Sequence, residues 1–262
     1  MAPRSPTRRA PRATPGDGRR DRPRDAVADA SAANDGVAPA DGPRPPRFAR
    51  WLTERTDAAD LATKGDRTRL ALKAAAARLL EERGHDGFST GDVADLAQVT
   101  RTAFYKYFAS RHALVLELIE DFQAFMVEAL QVRRTRGDEA GNTLRMNLAY
   151  VRFFAVNARV LLSMQQVRAS LPDAERLRFD LNDWWAHKIA ARIGGRSPGE
   201  RRPAVAGAYA LEAMVDGFLT ELYVRRNPYL LALELSEAEI ARTLSDAWEG
   251  AIARLRGPTG EG

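Results

Sequence analysis

One short stretch of the chain combines polar side chains that suit contact with nucleic acid. They supply a guanidinium, a hydroxyl, a phenol and an ammonium, from Arg101, Thr102, Tyr105 and Lys106. Phe104 and Phe108 lie four residues apart, so on a helix they share a face and point into a core. The polar groups then point outward, where they suit base edges and phosphate oxygens. The stretch therefore predicts a helix that contacts DNA.

A turn and a second short helix are predicted to position this stretch. Ser89 is predicted as the N-cap of the preceding helix, and Asp92 three residues later completes a capping box. Thr100 and Ser110 are predicted to begin the next two helices in the same way. Residues 89–111 therefore predict a helix-turn-helix whose second helix enters the major groove.

The predicted contacts divide into base reading and backbone positioning. Arg101 is the predicted base reader, because a guanidinium can donate to guanine O6 and N7 together. Tyr105 is predicted to pack on a thymine methyl or to reach a phosphate. Arg111 and Thr90 lie at helix starts, where backbone N–H groups also favour phosphate. The full predicted set of DNA-contacting residues is Thr90, Thr100, Arg101, Thr102, Tyr105, Lys106, Tyr107 and Arg111.

A wider pattern covers residues 66–118. It consists of an apolar helix that stops at Gly84, followed by small and aromatic residues at fixed spacings: Leu72, Ala75, Ala76, Leu79, Leu80, Ser89, Thr90, Val93, Ala94, Ala97, Val99, Thr100, Phe104, Tyr105, Phe108, Ser110, Arg111 and Leu114. This pattern resembles the N-terminal domain of TetR-family transcriptional regulators. Gln98 and Thr102 stand where that family usually has Gly, and Arg111-His112 stands where Lys-Glu is usual. Gln98 has to tolerate a positive φ if the turn is left-handed.

The resemblance implies a ligand-responsive DNA-binding regulator. We expect a repressor that binds a palindromic operator as a homodimer and is released by a small, apolar effector. In the resembled family, the helix after the recognition helix (predicted here at 111–134) carries the ligand signal, and the C-terminal domain encloses the effector. Residues 157–193 and 213–224 loosely resemble members that bind lipophilic molecules. The predicted ligand-binding residues are Phe122, Phe125, Met126, Phe154, Met164, Trp184, Met214 and Phe218.

The composition excludes several other classes of protein. The chain of 262 residues has no cysteine and only three histidines, so we expect no disulfide, no metal site and no cofactor. No apolar run is long enough to predict a membrane span, and no secretory signal is recognisable, so we expect a cytoplasmic protein. Residues 1–50 hold eleven Arg and six Asp with no Lys or Glu, which accounts for the whole net charge of +5.

The predicted fold is all-α, with no strand-like alternation. Residues 1–47 form a predicted disordered Arg/Pro/Ala-rich tail that either adds phosphate contacts or stays solvated, residues 48–113 the DNA-binding domain, and residues 114–256 the effector-binding and dimerisation domain. Phe48, Trp51, Leu52 and Leu61 are candidates for a short helix on the body. Firmer helices are predicted at 66–83, 111–134, 143–155, 158–169, 172–193, 201–226 and 236–256, with a loop at 194–199 and a frayed end at 257–262.

The last two predicted helices carry apolar residues at helical spacing that suit a four-helix dimer interface. The residues predicted to form it are Leu211, Val215, Leu219, Leu222, Leu244 and Trp248. Such residues could equally pack within one subunit, and part of each helix must.

Two other functions compete with this interpretation. Glu175, Asp180, Asp183 and His187 lie in one predicted helix and could suggest acid–base chemistry, but no nucleophile elbow, phosphate loop or metal-ligand spacing accompanies them. Asp183 and His187 are more simply a surface pair four residues apart. A nucleoid or division protein with the same fold and no ligand is the other alternative, and it would have a filled interior.

Overall fold

Helices account for almost all regular structure in the computed structural model. It describes residues 44–58, 63–132, 134–193 and 198–256, and those residues contain no strand. The predictions for residues 1–43, Leu61, 194–197 and 257–262 fall outside the described ranges. The helices are α1 (Phe48–Ala58), α2 (Lys64–Arg83), α3 (Thr90–Leu96), α4 (Arg101–Tyr107), α5 (Arg111–Ala129), α6 (Glu139–Ser170), α7 (Pro172–Ile193), α8 (Pro198–Leu219) with a π-helical turn at Thr220–Val224, α9 (Pro228–Leu231) and α10 (Glu237–Arg256).

The predicted helix caps within residues 89–111 are confirmed. The Ser89 side chain accepts from the Asp92 backbone N–H while the Asp92 carboxylate accepts from the Ser89 N–H, which completes the capping box. Thr100 and Ser110 accept from the backbone N–H groups three residues on and so begin α4 and α5. Gly84 ends α2 with a φ of 77°. The side chains of Ser89, Thr100 and Ser110 satisfy N–H groups that a helix start otherwise leaves without partners.

An aromatic cluster joins α1, α5 and α6. The ring centroids of Phe48 and Phe122 lie 5.2 Å apart, those of Trp51 and Phe125 5.3 Å, and those of Phe125 and Phe153 also 5.3 Å. The candidate helix at the N-terminus is therefore part of the main core, because Phe48 is fully buried in it. Burial of each such ring contributes about 1.5–3 kcal/mol.

The two helices predicted at 143–155 and 158–169 are one helix with a kink. In α6 only Asn157 leaves helical geometry, with φ −108° and ψ 15°. Its side-chain oxygen accepts from the Phe48 backbone N–H at 3.0 Å, and its amide donates to the Phe153 carbonyl at 3.1 Å. The helix continues because neither Pro nor Gly lies between residues 142 and 170, and the kink places the amide of Asn157 against α1.

Three other predicted boundaries were wrong. The helix predicted to reach Arg134 ends at Ala129. The helix predicted at 201–226 begins at Pro198 and changes at Thr220 into a π-helical turn, in which the Arg225 N–H donates to the Thr220 carbonyl at 2.8 Å. Pro228 begins the short helix α9 rather than only ending the one before, because a proline suits the first helical turn.

The predicted domain limits do not coincide with gaps in the packing. Helix α5 crosses the predicted boundary at residue 113, and the core is continuous from α1 to α10. Arg44, assigned to the predicted tail, lies against the body with its guanidinium 2.9 Å from the Glu237 carboxylate. The division into two domains stays a prediction.

Candidate nucleic-acid interface and ligand pocket

Helix α4 turns its aromatic face inward and its polar face outward. Phe104 is fully buried and Phe108 nearly so, with ring centroids 5.8 Å apart. Tyr105 leaves 48% of its surface exposed. The remaining outward side chains are Arg101, Thr102 and Lys106, all exposed. The structure therefore brings the four polar groups together on one accessible face.

A hydrogen bond between Tyr105 and Thr90 joins this face to the start of α3. The Tyr105 hydroxyl lies 3.2 Å from the Thr90 hydroxyl. Thr90 first, and then the guanidinium of Arg101, hold the pKa of Tyr105 below its ordinary value. Tyr105 is thus a fixed group between two helices, and both hydroxyls can accept or donate toward a ligand in front of them.

The turn between α3 and α4 is left-handed at Gln98. Its φ is 56°, the conformation that the sequence required it to tolerate. The Gln98 N–H donates to the Asp95 carbonyl at 3.1 Å, and the Val99 N–H donates to the Ala94 carbonyl at 2.9 Å. A non-glycine residue here costs about 1–2 kcal/mol, which these hydrogen bonds and the packing of both helices must offset.

Arg69 on α2 holds the end of α4, a role that the sequence patterns did not indicate. Its guanidinium donates to the Tyr107 carbonyl at 2.9 Å, pairs with Glu117 on α5 and lies 4.5 Å from the centre of the Phe108 ring. Lys73 pairs with the same Glu117 at 3.2 Å. The orientation of α4 is therefore fixed from α2 and α5. In the sequence, only the opposite charges of Arg69 and Glu117, 48 positions apart, could have indicated this contact.

We predict that Arg69→Ala weakens operator binding about tenfold without lowering its salt dependence, since the loss is one of orientation rather than of a phosphate contact. Fluorescence anisotropy titrations at several salt concentrations measure both quantities. Arg67→Ala, which removes a nearby exposed guanidinium of α2, is the matched control. A reduced salt slope for Arg69→Ala would instead mean that Arg69 contacts phosphate.

Three other predicted DNA contacts already serve the fold. Thr100 caps α4 through the Ala103 N–H at 3.1 Å, although it is exposed. Tyr107 is half-buried against the core. The Arg111 guanidinium donates to the carbonyls of His85 at 2.6 Å and Phe88 at 3.0 Å, so it holds the loop before α3. Their contacts with DNA stay predictions.

The comparison with known families agrees with this geometry. Residues 72–118 match the model of the family described as bacterial regulatory proteins, tetR family. They run from the middle of α2 through α3 and α4 to the middle of α5, which is the region that presents the polar face. Residues 72–118 therefore carry the DNA-binding domain of TetR-family transcriptional regulators.

Two relatives extend the likeness beyond this domain. This chain is 29% identical over 199 residues to the HTH-type transcriptional regulator EthR of Mycobacterium tuberculosis, an alignment that covers 72% of this chain and 88% of the relative. The same figures hold for EthR of Mycobacterium bovis. This chain is also 26% identical over 102 residues to an uncharacterized HTH-type transcriptional regulator, YuxN, of Bacillus subtilis. That alignment covers 39% of this chain and 35% of YuxN.

A cavity of about 480 Å³ lies between five helices of the protein. Met126 and Leu130 reach it from α5, and Trp185 lines it from α7. Its other lining residues come mainly from α6, α8 and α10: Asn142, Thr143, Met146, Asn147, Tyr150, Glu212, Val215, Asp216, Trp248 and Ile252. A volume and a mixed lining of this kind are typical of small-molecule sites.

The predicted ligand-binding residues mostly lie elsewhere. Of the eight, Met126 lines the cavity. Phe122, Phe125, Phe154 and Met164 are buried in the core, and Trp184, Met214 and Phe218 are not among the lining residues; Trp184 and Met214 are exposed. The cavity is lined by the next residue along α7, Trp185, because one residue turns a helical side chain by about 100°.

The residues predicted for the dimer interface are used inside the subunit. Leu211, Val215, Leu219, Leu222 and Leu244 are buried within the single chain, and Trp248 lines the cavity. The outward face is formed instead by the exposed Ala206, Ala210, Ala213, Met214 and Gly217 of α8 and by Thr243, Ala247 and Gly250 of α10. The sequence spacing was correct, and the face that it identified packs inward.

The carboxylates and histidine that suggested acid–base chemistry do not form a pocket. Nδ1 of His187 lies 2.9 Å from the Asp183 carbonyl, with both side chains more than half exposed. Glu175 pairs with Arg178 on the surface of the same helix. Across the described ranges no group of three His, Asp or Glu is placed to hold a metal ion. Nor is any helix there long and apolar enough to cross a membrane.

Proposed function

We propose that this TetR-family regulator is a repressor that binds a palindromic operator as a homodimer in the cytoplasm and releases it when a small ligand fills the cavity. The observation that carries the proposal is the exposed face of α4, which holds a guanidinium, two hydroxyl groups and an ammonium together. Arg101 is assigned to guanine, and Lys106 to phosphate.

The position of the cavity supports control by a ligand. Helix α5 begins four residues after α4 and reaches the cavity with Met126, while its Leu114 and Leu118 lie in the core under the DNA-contacting helices. A ligand that repositions the distal half of α5 can therefore move its proximal half. It shifts the equilibrium between two positions only by its difference in affinity for them.

Helix α6 supplies a second connection. Its first half lines the cavity, and beyond the kink at Asn157 it grips the last turn of α2. Arg159 donates to the carbonyls of Glu81 at 2.6 Å and Glu82 at 2.7 Å, and Ser163 donates to that of Leu80 at 3.0 Å. The Leu80 carbonyl also accepts from the Gly84 N–H at 3.1 Å, and the carbonyls of Glu81 and Glu82 lie in the last turn of α2, so α6 contributes to its C-terminal cap. Movement of α6 is thereby transmitted to the DNA-contacting domain.

The outward face of α8 and α10 is our proposed dimer interface. A Cβ built on Gly217 or Gly250 meets no atom within 4 Å in the subunit. Glycine inside a helix costs about 1 kcal/mol relative to alanine, so two exposed glycines on one face favour a close approach by another backbone. A second copy of the same face would satisfy it, because a twofold interface is self-complementary.

The alternative of a nucleoid or division protein without a ligand is less well supported. Such a protein has no need of a cavity between its helices, and the described helices border one of about 480 Å³.

Selection of bound duplexes from a random pool tests the proposal. We expect an inverted repeat, because two α4 helices related by a twofold axis read two half-sites. The half-sites should lie one helical turn of about 10 base pairs apart, or a whole number of such turns. Pools that enrich no motif would contradict sequence-specific binding, and an asymmetric single motif would contradict the dimer.

A further inference from the structure

Glu212 places a carboxylate in the cavity, and no described residue donates a hydrogen bond to it. It lies in an otherwise apolar part of α8, and both of its oxygens are buried and accept no hydrogen bond from any described residue. Burial first, and the charge of Asp216 second, raise its pKa to about 8. A buried carboxyl group with neither a donor nor a counter-ion is costly, so its presence calls for a group that approaches from the cavity.

The neighbours of Glu212 reinforce the negative character of that end of the cavity. Asp216, one turn further along α8, accepts a hydrogen bond from the Tyr150 hydroxyl at 2.6 Å. Burial first raises the pKa of Asp216, while Tyr150, Arg168 and Arg178 oppose the rise. The hydroxyl of Tyr150 is thus occupied by Asp216, which leaves Glu212 for a ligand.

Basic groups line the opposite end. Arg134 pairs with Glu139 at 3.2 Å. Arg192 also lines this end, and burial first, then the positive charge of Arg134, lower its pKa. Glu139 and Tyr150 are eleven positions apart in α6, so the two ends are about 16 Å apart along the helix. Most side chains between them are apolar or aromatic, namely Met126, Met146, Trp185, Ile189, Val215, Trp248 and Ile252, and α6 adds the polar Asn142, Thr143 and Asn147. The cavity is therefore elongated, mostly apolar in the middle and acidic at one end.

We propose that the effector is an elongated apolar amine, whose protonated nitrogen donates hydrogen bonds to Glu212 while its body lies between Trp185 and Trp248. This inference rests on the proposed function only where it calls the ligand an effector, because binding of an amine in the cavity requires no DNA. A primary or secondary ammonium fits better than a quaternary one, because the Glu212 oxygens need N–H donors. The aromatic rings suit both the apolar body and the charged head.

Proton release gives the proposal a specific signature. At pH 7 the carboxyl group of Glu212 is mostly protonated, because its pKa is about 8. An ammonium favours the charged carboxylate and lowers that pKa, so binding must release a proton. Affinity for an amine should therefore rise by about tenfold per pH unit up to pH 8. Other titratable or charged groups also surround Glu212. On α8 they are Asp216 and Tyr209, and Tyr209 in turn contacts Asp183, which pairs with His187. The neighbouring helices contribute Tyr150 and Arg168 from α6, Arg178 from α7 and Glu249 from α10.

Isothermal titration of the full chain with decylamine, decan-1-ol and decanoate tests the inference. We expect decylamine to bind about tenfold or more tightly than decan-1-ol. Titration at pH 7 in two buffers of different ionisation enthalpy should show nearly one proton released for the amine and none for the alcohol. Glu212→Gln should abolish both the preference and the release, whereas Glu120→Gln, the same change at an exposed position of α5 that does not line the cavity, should keep them.

The remaining outcomes contradict the inference. Tightest binding of decanoate would move the recognition to the basic end, and equal binding of all three would make the cavity a purely apolar site. No binding of any probe would exclude the amphiphile class. Circular dichroism confirms that Glu212→Gln is folded, and Asp216→Asn provides a second variant if it is not. Operator binding without ligand is measured separately, so a failure of DNA recognition leaves the result on the amine intact.

Discussion

The double variant Arg101→Ala/Tyr105→Ala is expected to bind the selected operator about 100-fold or more weakly than the wild type. Each base contact made by a well-placed side chain is worth about 1–3 kcal/mol, and this variant removes a guanidinium and the Tyr105 hydroxyl that meets Thr90. Both positions are exposed, so the melting temperature should not change. Anisotropy titration with operator and with a scrambled duplex measures the loss.

Lys106→Ala is the matched control for that variant. An ammonium that contacts phosphate carries no sequence information, so its removal should weaken binding to the operator and the scrambled duplex alike. The slope of affinity against salt concentration should fall by about one. If the folded double variant bound the operator as the wild type does, α4 would not be the recognition helix.

Gly217→Arg is expected to convert the dimer into a folded monomer and to weaken operator binding about 100-fold, because linked half-sites gain affinity from each other. The new side chain meets no atom within 4 Å of its Cβ in the subunit, and a helical glycine is replaced, so folding should be unharmed. Sedimentation velocity at micromolar concentration measures the state of association.

The control for Gly217→Arg is Ala169→Arg, which adds the same side chain at an exposed position near the end of α6. It should remain a dimer. A dimeric Gly217→Arg with normal operator affinity would place the interface elsewhere. The apolar residues Leu219 and Leu222 are unsuitable for this test, because they are buried in the subunit and a charge there would unfold it.

Local signals were sufficient to predict the helix starts and the buried face of residues 89–111. Ser89, Thr100 and Ser110 are side chains that favour helix starts, and the spacing of Phe104 and Phe108 fixes which face of α4 is buried. Such features depend on neighbours within four residues, so a single sequence contains them. The same reasoning identified the polar face of α4 before its position was known.

The cavity depends on packing between distant elements and was predicted less well. In α7 the adjacent Trp184 and Trp185 give no sequence clue to which ring faces inward, and the rings of Phe122 and Phe125, predicted to bind a ligand, pack against Phe48 in the core. The sequence signal that could have located the cavity was the pair Glu212 and Asp216, two carboxylates one turn apart in an otherwise apolar segment of α8. Aromatic density drew attention away from them, although a buried charge is the more informative feature.

The role of α4 is tested most directly by repeating the selection from random duplexes with Arg101→Ala. We predict the same inverted repeat with preference lost at a single position in each half-site, symmetric about the centre, where the wild type selects guanine. A motif identical to that of the wild type at every position would contradict the assignment of Arg101 as a base-reading residue and of α4 as the helix in the major groove.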